Sequence, residues 1–441
     1  MPTKRTIPSR TFGKKTDNRN LSQSVPVIGI GCSSFANNFV VDEADIDDDL
    51  SVCQNTAHLL PANHAKVQEW IETLLLAIDS GITLLDTAPW YGHGSSEIVI
   101  GLTMKRPGVD RSKLIINTKI GRYDKEPMKQ FDFSYDATIK SVQRSIERME
   151  CDYIDVLQLH DPEFAPSIDL IIEETIPAMM ECKRRGWTKA LGLTGYSLEL
   201  HYQILERAKE LSISGEPIFD QVLTYGHLNI HNQNLCTMPI NPNHDQSLIE
   251  YCEVNSLALM AAAPLSMGIL SHNPPPFWHP ASNSLKQACL DAARIAEGHN
   301  VNLPMLAILV ALAHDAVGCT LLGMGCKNDV DNALAAVKRY TKMHDLEEKY
   351  SPDCKCATSG IKDNGKALRM QLQCKLASIL SDSEATVLQI LFDELNGPFA
   401  DIWHRNEQAW DGIGEADNFW SRVDGGKEAA EIRMRVRSVQ N

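Results

Sequence analysis

No apolar run in the 441 residues approaches the length of about eighteen that a membrane-crossing helix needs. The first twenty residues also lack the apolar middle of a secretory signal. A cytoplasmic protein with no membrane partner is therefore expected. Positive charge is in deficit, with 42 Lys and Arg against 57 Asp and Glu and a formal charge of -15. That balance argues against a nucleic-acid partner, which needs Lys and Arg clustered on one face. Paired cysteines are scarce as well. Twelve cysteines are scattered from Cys32 to Cys374, and only Cys354-Lys355-Cys356 approaches a paired spacing. Without a second close pair or a His-x3-His, no metal is expected over Cys354, Cys356 and Cys374, and the thiols read as reduced and structural. A complete dinucleotide fingerprint is missing too. Gly29-Ile30-Gly31-Cys32-Ser33-Ser34 lacks the third glycine and runs into a long acidic insertion instead of a compact crossover, which excludes a Rossmann unit.

What is present is enough for a full core: 43% of residues are hydrophobic and 22% charged. Between Val25 and Tyr340, short β-branched apolar runs alternate with amphipathic stretches, the pattern of repeated βα units. Strands are expected at Val27–Ile30, Thr83–Leu85, Leu114–Thr118 and Tyr153–Leu159. Four more are expected near Ala190–Leu193, Asp220–Leu223, Leu257–Ala261 and Thr320–Leu322. Helical segments fall between them at Lys66–Asp79, Asp136–Arg148, Ser167–Arg185, Leu198–Leu211 and Leu285–Glu297, with another at Glu384–Glu394 after a Ser383 cap. Eight strands with intervening helices mean an α/β fold, a (β/α)8 TIM barrel. It is expected over 10–396, after a short tail at 1–9, with insertions at about 37–63 and 351–365. The first insertion carries six acids between Asp42 and Asp49 and reads as a solvated rim. Residues 397–441 form an extended tail holding Phe399, Trp403, Trp410, Phe419 and Trp420, which could pack on the barrel or return over its mouth.

The chemistry-bearing residues stand at strand ends. Strand two ends at Asp86, followed by Thr87-Ala88-Pro89-Trp90-Tyr91-Gly92; strand three ends at Lys119 and strand four at His160. Carboxyl ends of neighbouring barrel strands open into one bowl, so these side chains can converge although distant in sequence. Singly, Asp86 could cap a helix, Lys119 could be a surface charge, Tyr91 a rim aromatic and His160-Asp161-Pro162 a turn. Together they follow from one geometry. A tyrosine is a poor acid or base near neutrality, and Lys119 is expected to lower its pKa while Asp86 holds the ammonium in place. Tyr91 would then exchange the proton of a carbonyl or alcohol, with His160 on the same oxygen.

These residues resemble those of the aldo-keto reductases. The likeness is carried by Gly81-Ile82-Thr83-Leu84-Leu85-Asp86 with Thr87 to Gly92, by Asn117-Thr118-Lys119, and by Tyr153 to His160. Arg10-Thr11-Phe12-Gly13 looks like the hairpin closing the barrel floor. Further stretches are similar to sugar dehydrogenases of that family: Lys119-Ile120-Gly121-Arg122-Tyr123, Ala263 to Gly268, and Pro275-Pro276-Phe277-Trp278-His279-Pro280. The resemblance implies an oxidoreductase with a catalytic set of Asp86, Tyr91, Lys119 and His160. It implies oxidation of the C1 hydroxyl of an L-galactose-like aldose to the lactone, by hydride transfer to NAD(P). A broad aldehyde and ketone reductase, or a nicotinamide-sensing regulatory subunit, are the alternatives.

By the same resemblance, cofactor contacts fall on Gly31 and Asp86, and the nicotinamide end on Thr194, Gly195, Gln221 and Tyr225. Its pyrophosphate falls on Pro264, Leu265 and Gly268. The adenosine end falls on Gly323, Gly325, Lys327, Asp329 and Asn332, where helix-start amides suit an anion. Substrate contacts fall on Trp90, Tyr91, His160, His227 and Trp278. NAD is expected over NADP, because Gly323 and Asp329 stand where NADP users present a Lys and an Arg, and an aspartate would repel the extra phosphate. Lys327 is the residue that could reverse this.

Overall fold

The computed structural model describes residues 7–11, 24–36, 60–123, 130–212, 217–241, 244–275, 279, 281–350, 364–393 and 399. Eight parallel strands form a closed barrel: β1 (Ile28–Gly31), β2 (Leu84–Asp86), β3 (Ile115–Ile120), β4 (Ile154–His160), β5 (Thr188–Gly195), β6 (Gln221–Tyr225), β7 (Ala258–Ala262) and β8 (Cys319–Gly323). Sequence order is spatial order, and β8 closes the ring on β1. The strands read as apolar runs because parallel strands under helices are buried on both faces. All seven residues of β4 are buried, for example.

The helices covering the barrel begin with α1 (Ala65–Asp79), α2 (Ser95–Met104), α3 (Tyr135–Met149), α4 (Ile176–Arg184) and α5 (Leu198–Ala208). They continue with α6 (Leu248–Val254), α7 (Asn283–Gly298), α8 (Leu303–Leu312) and α9 (Lys327–Tyr350). Side-chain caps start several of them. Ser134 Oγ accepts from Ala137 N, Ser197 Oγ from Leu200 N, and Asn302 Oδ1 from Met305 N. α8 is apolar on all sides because it lies inside the helical layer. Among the described residues, no single helix is long and apolar enough to cross a membrane.

Below the barrel, Ser9–Thr11 pairs antiparallel with Ser24–Pro26. Arg10 plugs the floor, donating to the carbonyls of His314 at 2.9 Å, Val317 at 2.5 Å and Leu312 at 2.6 Å. Two further helices, α10 (Asn364–Leu376) and α11 (Asp382–Asp393), follow α9. Arg339 of α9 grips Glu384 of α11 through two contacts at 2.7 and 2.8 Å.

Several sequence expectations need correction here. The helix expected over Ser167–Arg185 contains a π turn at Ile171–Thr175, just ahead of Pro177, whose ring and missing N–H disturb a regular helix. The cap of α11 is Ser381, not Ser383: Ser381 Oγ accepts from Glu384 N and the Glu384 carboxylate accepts from Ser381 N. Cys374 is in a disulfide, so the thiols are not all reduced. The acidic run Asp42–Asp49, Cys354, Cys356, Trp278 and the tail aromatics other than Phe399 lie outside the described residues.

Candidate active site

Strand register assembles the site. β1 pairs Gly31 with Asp86, β2 pairs Asp86 with Asn117, β3 pairs Lys119 with Gln158, and β4 pairs His160 with Thr194. The carboxyl ends of five strands therefore form one continuous rim. Inside it, buried Lys119 donates to Asp86 Oδ2 at 2.6 Å and to the carbonyl of Thr87 at 2.8 Å. Gln158 donates to Asp86 Oδ1 at 2.7 Å, and Gln221 donates to Gln158 at 3.2 Å. A row of polar side chains across the barrel thus locks the Asp86–Lys119 pair in one geometry. Such a buried pair is held only if its remaining hydrogen-bonding groups are satisfied.

Tyr91 stands over this pair. The Lys119 ammonium is 4.6 Å from its ring centroid, and the His160 ring meets it edge-on at 6.1 Å and 87°. The expected lowering of the Tyr91 pKa by Lys119 is not what the geometry gives. Burial pushes it well above the ordinary tyrosine value, Asp86, Asp161 and Tyr225 push the same way, and Arg122 opposes them. The reason is that Lys119 lies over the ring face with its charge matched by Asp86.

A cavity of about 1210 Å³ opens above these groups, ample for a dinucleotide and a small partner molecule. Asp86, Trp90, Tyr91, Lys119 and His160 line it. So do Thr194, Gly195 and Tyr225, Pro264, Leu265 and Gly268, and Gly323, Gly325, Asp329 and Asn332 together with Gly31, the register partner of Gly323. Three anticipated residues do not. Gln221 is turned to Gln158 inside the barrel, His227 is hydrogen-bonded to the carbonyl of Tyr196, and Lys327 pairs with Glu72 at 2.6 Å.

The loop after β7 turns by backbone conformations that side chains disfavour: Ala263, Ser266 and Met267 have φ of 62°, 50° and 54°, leading to Gly268 at 93°. Each such non-glycine residue costs on the order of 1 kcal/mol or more, and this kind of strain concentrates at ligand sites. Only Gly268 signals it in the sequence. Nearby, the tail residue Phe399 packs at 5.7 Å on His231, which bonds Ser266 at 2.7 Å behind the cavity wall.

Sequence reasoning missed a second buried group beside the first. Arg122 donates to Asp161 at 2.7 Å, and both line the cavity. Glu163, fully buried, accepts from the backbone N–H of Tyr196 at 2.5 Å and of Ser197 at 2.8 Å. Burial, and next the nearby charge of Asp161, push the Glu163 carboxyl up to about 8. Arg122 and Asp161 each sit one to three residues beyond a strand-end residue already singled out, which was the available signal.

The expected preference for NAD over NADP is also corrected. Asp329 does not stand ready to repel a phosphate: its Oδ2 accepts from Gly325 N at 2.9 Å and Cys326 N at 3.2 Å, closing the loop ahead of α9. Two solved aldo-keto reductases from Klebsiella pneumoniae, each 19% identical and covering 79% of this chain and 97 to 98% of theirs, at TM-scores of 0.47 and 0.48, are in complex with NADPH and with NADP and acetate. A relative from Escherichia coli, 26% identical over 46% of this chain and 58% of its own, is an NADH-specific methylglyoxal reductase. With Asp329 turned to its own loop, the ground for favouring NAD is gone.

Other comparisons agree on the family. The L-galactose dehydrogenase of Arabidopsis thaliana is 34% identical over 267 residues, 60% of this chain and 77% of that protein. The D-arabinose 1-dehydrogenase of Saccharomyces cerevisiae is 30% identical over 262 residues, 58% and 73% of the two chains. In fold, the chain is similar to the holo form of an aldo-keto reductase from Bacillus halodurans, at a TM-score of 0.55 and 19% identity, over 91% of this chain and all of that one. The model of the aldo/keto reductase family matches residues 60–348, and the chain belongs to that family, whose enzymes act by NAD(P)-dependent hydride transfer.

Proposed function

We propose that the chain reduces small aldehydes and ketones, with Tyr91 as the proton donor and His160 as the second hydrogen-bonding group on the reacting oxygen. The observation that carries this reading is the convergence of Tyr91 and His160 on the cavity, their rings meeting edge-on at 6.1 Å, with the Asp86–Lys119 pair against the Tyr91 ring. When bound, the nicotinamide supplies or accepts the hydride. The protein's part is to fix the carbonyl between Tyr91 and His160, to exclude water, and to deliver a proton to the oxygen as it gains charge. Lys119 lies against the ring face and fixes where Tyr91 stands, with Asp86 holding the ammonium and Gln158 holding Asp86. In this reading Thr194, Gly195 and Tyr225 receive the nicotinamide and the loop at Ala263–Gly268 the pyrophosphate, a reading supported by their lining one cavity and by the strained backbone of that loop.

Hydride transfer in the opposite direction, from C1 of an aldose to the oxidised nicotinamide with formation of the lactone, is the second reading. It is favoured by the polar Arg122–Asp161 wall and by the printed names of two relatives, an L-galactose and a D-arabinose dehydrogenase. Both directions are tested by one panel: propanal, glyceraldehyde and methylglyoxal with reduced cofactor, and free aldoses with oxidised cofactor, following absorbance of the reduced nicotinamide. Turnover of the aldehydes supports the first reading. Turnover confined to aldoses supports the second, and turnover of neither class overturns both.

A further inference from the structure

Glu163 is a buried acid whose hydrogen bonds fall on one short segment of backbone. The left-handed residue Asp161, with φ of 49°, and the single turn Pro162–Phe164 carry the chain from the end of β4 back toward the end of β5. There Glu163 Oε1 accepts from Tyr196 N at 2.5 Å and from Ser197 N at 2.8 Å. A Cβ on Gly195 would meet Oε1 at 2.5 Å and Oε2 at 2.6 Å, so the carboxyl packs directly on the bare Cα of that glycine. Among the described residues, Oε2 has no hydrogen-bond partner.

For stability alone this is a poor arrangement. A buried acid with one oxygen left unpaired is costly, and α5 already has its own cap in Ser197 Oγ, which accepts from Leu200 N at 3.2 Å. What Glu163 holds is the segment that runs along the cavity, where Thr194, Gly195 and Tyr196 are all lining residues. The Thr194 carbonyl accepts from Asp161 N at 2.9 Å, and the Tyr196 carbonyl is hydrogen-bonded to His227 at 2.5 Å. Tyr196 in turn meets the Tyr225 ring edge-on, at 5.5 Å and 68°. Those bonds pin carbonyls on either side of Gly195, and Glu163 is the side chain that sets how far the stretch between them stands from the turn after β4.

We infer that Glu163 is a positioning residue for the nicotinamide end of the cofactor: it draws Gly195 and Tyr196 against the turn after β4 and so fixes Thr194, Gly195 and, through Tyr196, the Tyr225 ring, without itself lining the cavity. This rests on the reading above in which Thr194, Gly195 and Tyr225 receive the nicotinamide. Gly195 is the other half of the device, because a larger residue there would push the segment off the carboxyl. The competing account is that Glu163 only serves the first turn of α5, whose free N–H groups favour an acceptor. The two accounts differ in what they do to ligands. A group serving the helix start supports the fold and does not discriminate among the parts of a cofactor, whereas a positioning residue acts on the one part that meets its segment.

Calorimetric titration of the full chain separates them. The ligands are NADH and NADPH, and the fragments of each that lack the nicotinamide, ADP-ribose and the 2′-phosphate of ADP-ribose. Glu163→Ala should weaken the tighter-binding dinucleotide by about ten- to a hundredfold, the scale of a misplacement on the order of 1 Å, while the matching fragment stays within about twofold of wild type. Glu163→Gln keeps an acceptor for Tyr196 N and Ser197 N in nearly the same shape, and should bring dinucleotide binding back to within about threefold of wild type. Should the alanine variant fail to fold, Glu163→Asp, which keeps the carboxyl and shortens its reach by one methylene, is read in the same way. Equal loss on dinucleotide and fragment, no loss on either, or a glutamine variant as weak as the alanine one would overturn the inference and leave Glu163 a structural residue. If the wild type binds none of the four ligands, the hydride-transfer reading itself fails, and this inference with it.

Discussion

Replacing Glu163 by Gln should change how stability depends on pH. The Glu163 carboxyl is 2% exposed, close to Asp161, and holds its proton up to about 8. Below an ordinary glutamate pKa of about 4.5, the folded and unfolded chains are both protonated and the group has no pH effect. Between about 4.5 and 8 the unfolded chain has released the proton while the folded chain keeps it, so stability falls as pH rises through that window. The full fall is on the order of 5 kcal/mol at most. Glutamine has nearly the same shape, its carbonyl can still accept from Tyr196 N and Ser197 N, and it cannot ionise. Urea unfolding of wild type and variant, near pH 5 and near pH 8, reads the effect. The wild type should lose several kcal/mol more than the variant across that interval. An equal fall in both would mean that Glu163 is ionised in the folded protein at neutrality, its charge held by the two backbone donors and the start of α5, and the reasoning would be wrong.

Gly195→Ala should destabilise the fold by roughly 2 kcal/mol and weaken cofactor binding, because a Cβ there would meet the Glu163 carboxylate oxygens at 2.5 and 2.6 Å. Shortening the neighbour with Glu163→Ala should relieve part of that loss in chemical denaturation; no relief would point to the backbone instead. Lys119→Met should abolish turnover and cost about 3 to 5 kcal/mol, since it strands a buried Asp86 charge. Adding Asp86→Asn should restore much of the stability but not the activity, and a double variant as unstable as the single one would contradict the pairing.

The barrel was legible because its signal is local. Runs such as Ile154–His160 are rich in Ile, Val and Leu on both faces and alternate with helical segments, so the eight strands, and with them Asp86, Lys119 and His160 at strand ends, could be placed in advance. Features that depend on closure of the ring were not. Arg122 reads as an ordinary charge after a strand until β4 brings Asp161 to it, and Glu163 gives no sign that it turns back onto α5. The sign of the Tyr91 shift was misread for the same reason: the cation was visible, while the burial that outweighs it is a property of the assembled site. Asp329 was identified correctly as a residue at the start of α9, but its side chain serves the loop behind it, a choice no spacing reveals. Left-handed backbone at Ala263, Ser266 and Met267 is equally silent, since none is a glycine.

The central claim is that Tyr91 exchanges the proton with the reacting oxygen, and Tyr91→Phe tests it most directly. The substitution removes one hydroxyl and little volume from a ring held between Lys119 and His160. Turnover of the best aldehyde substrate should be measured beside the binding of reduced nicotinamide, followed by its fluorescence. Turnover should fall by about a hundred- to ten-thousandfold, the range for losing a general acid, with cofactor affinity within a few-fold of wild type. Near-normal turnover in a variant that binds cofactor normally would contradict the assignment of Tyr91 and require another proton source in the same cavity.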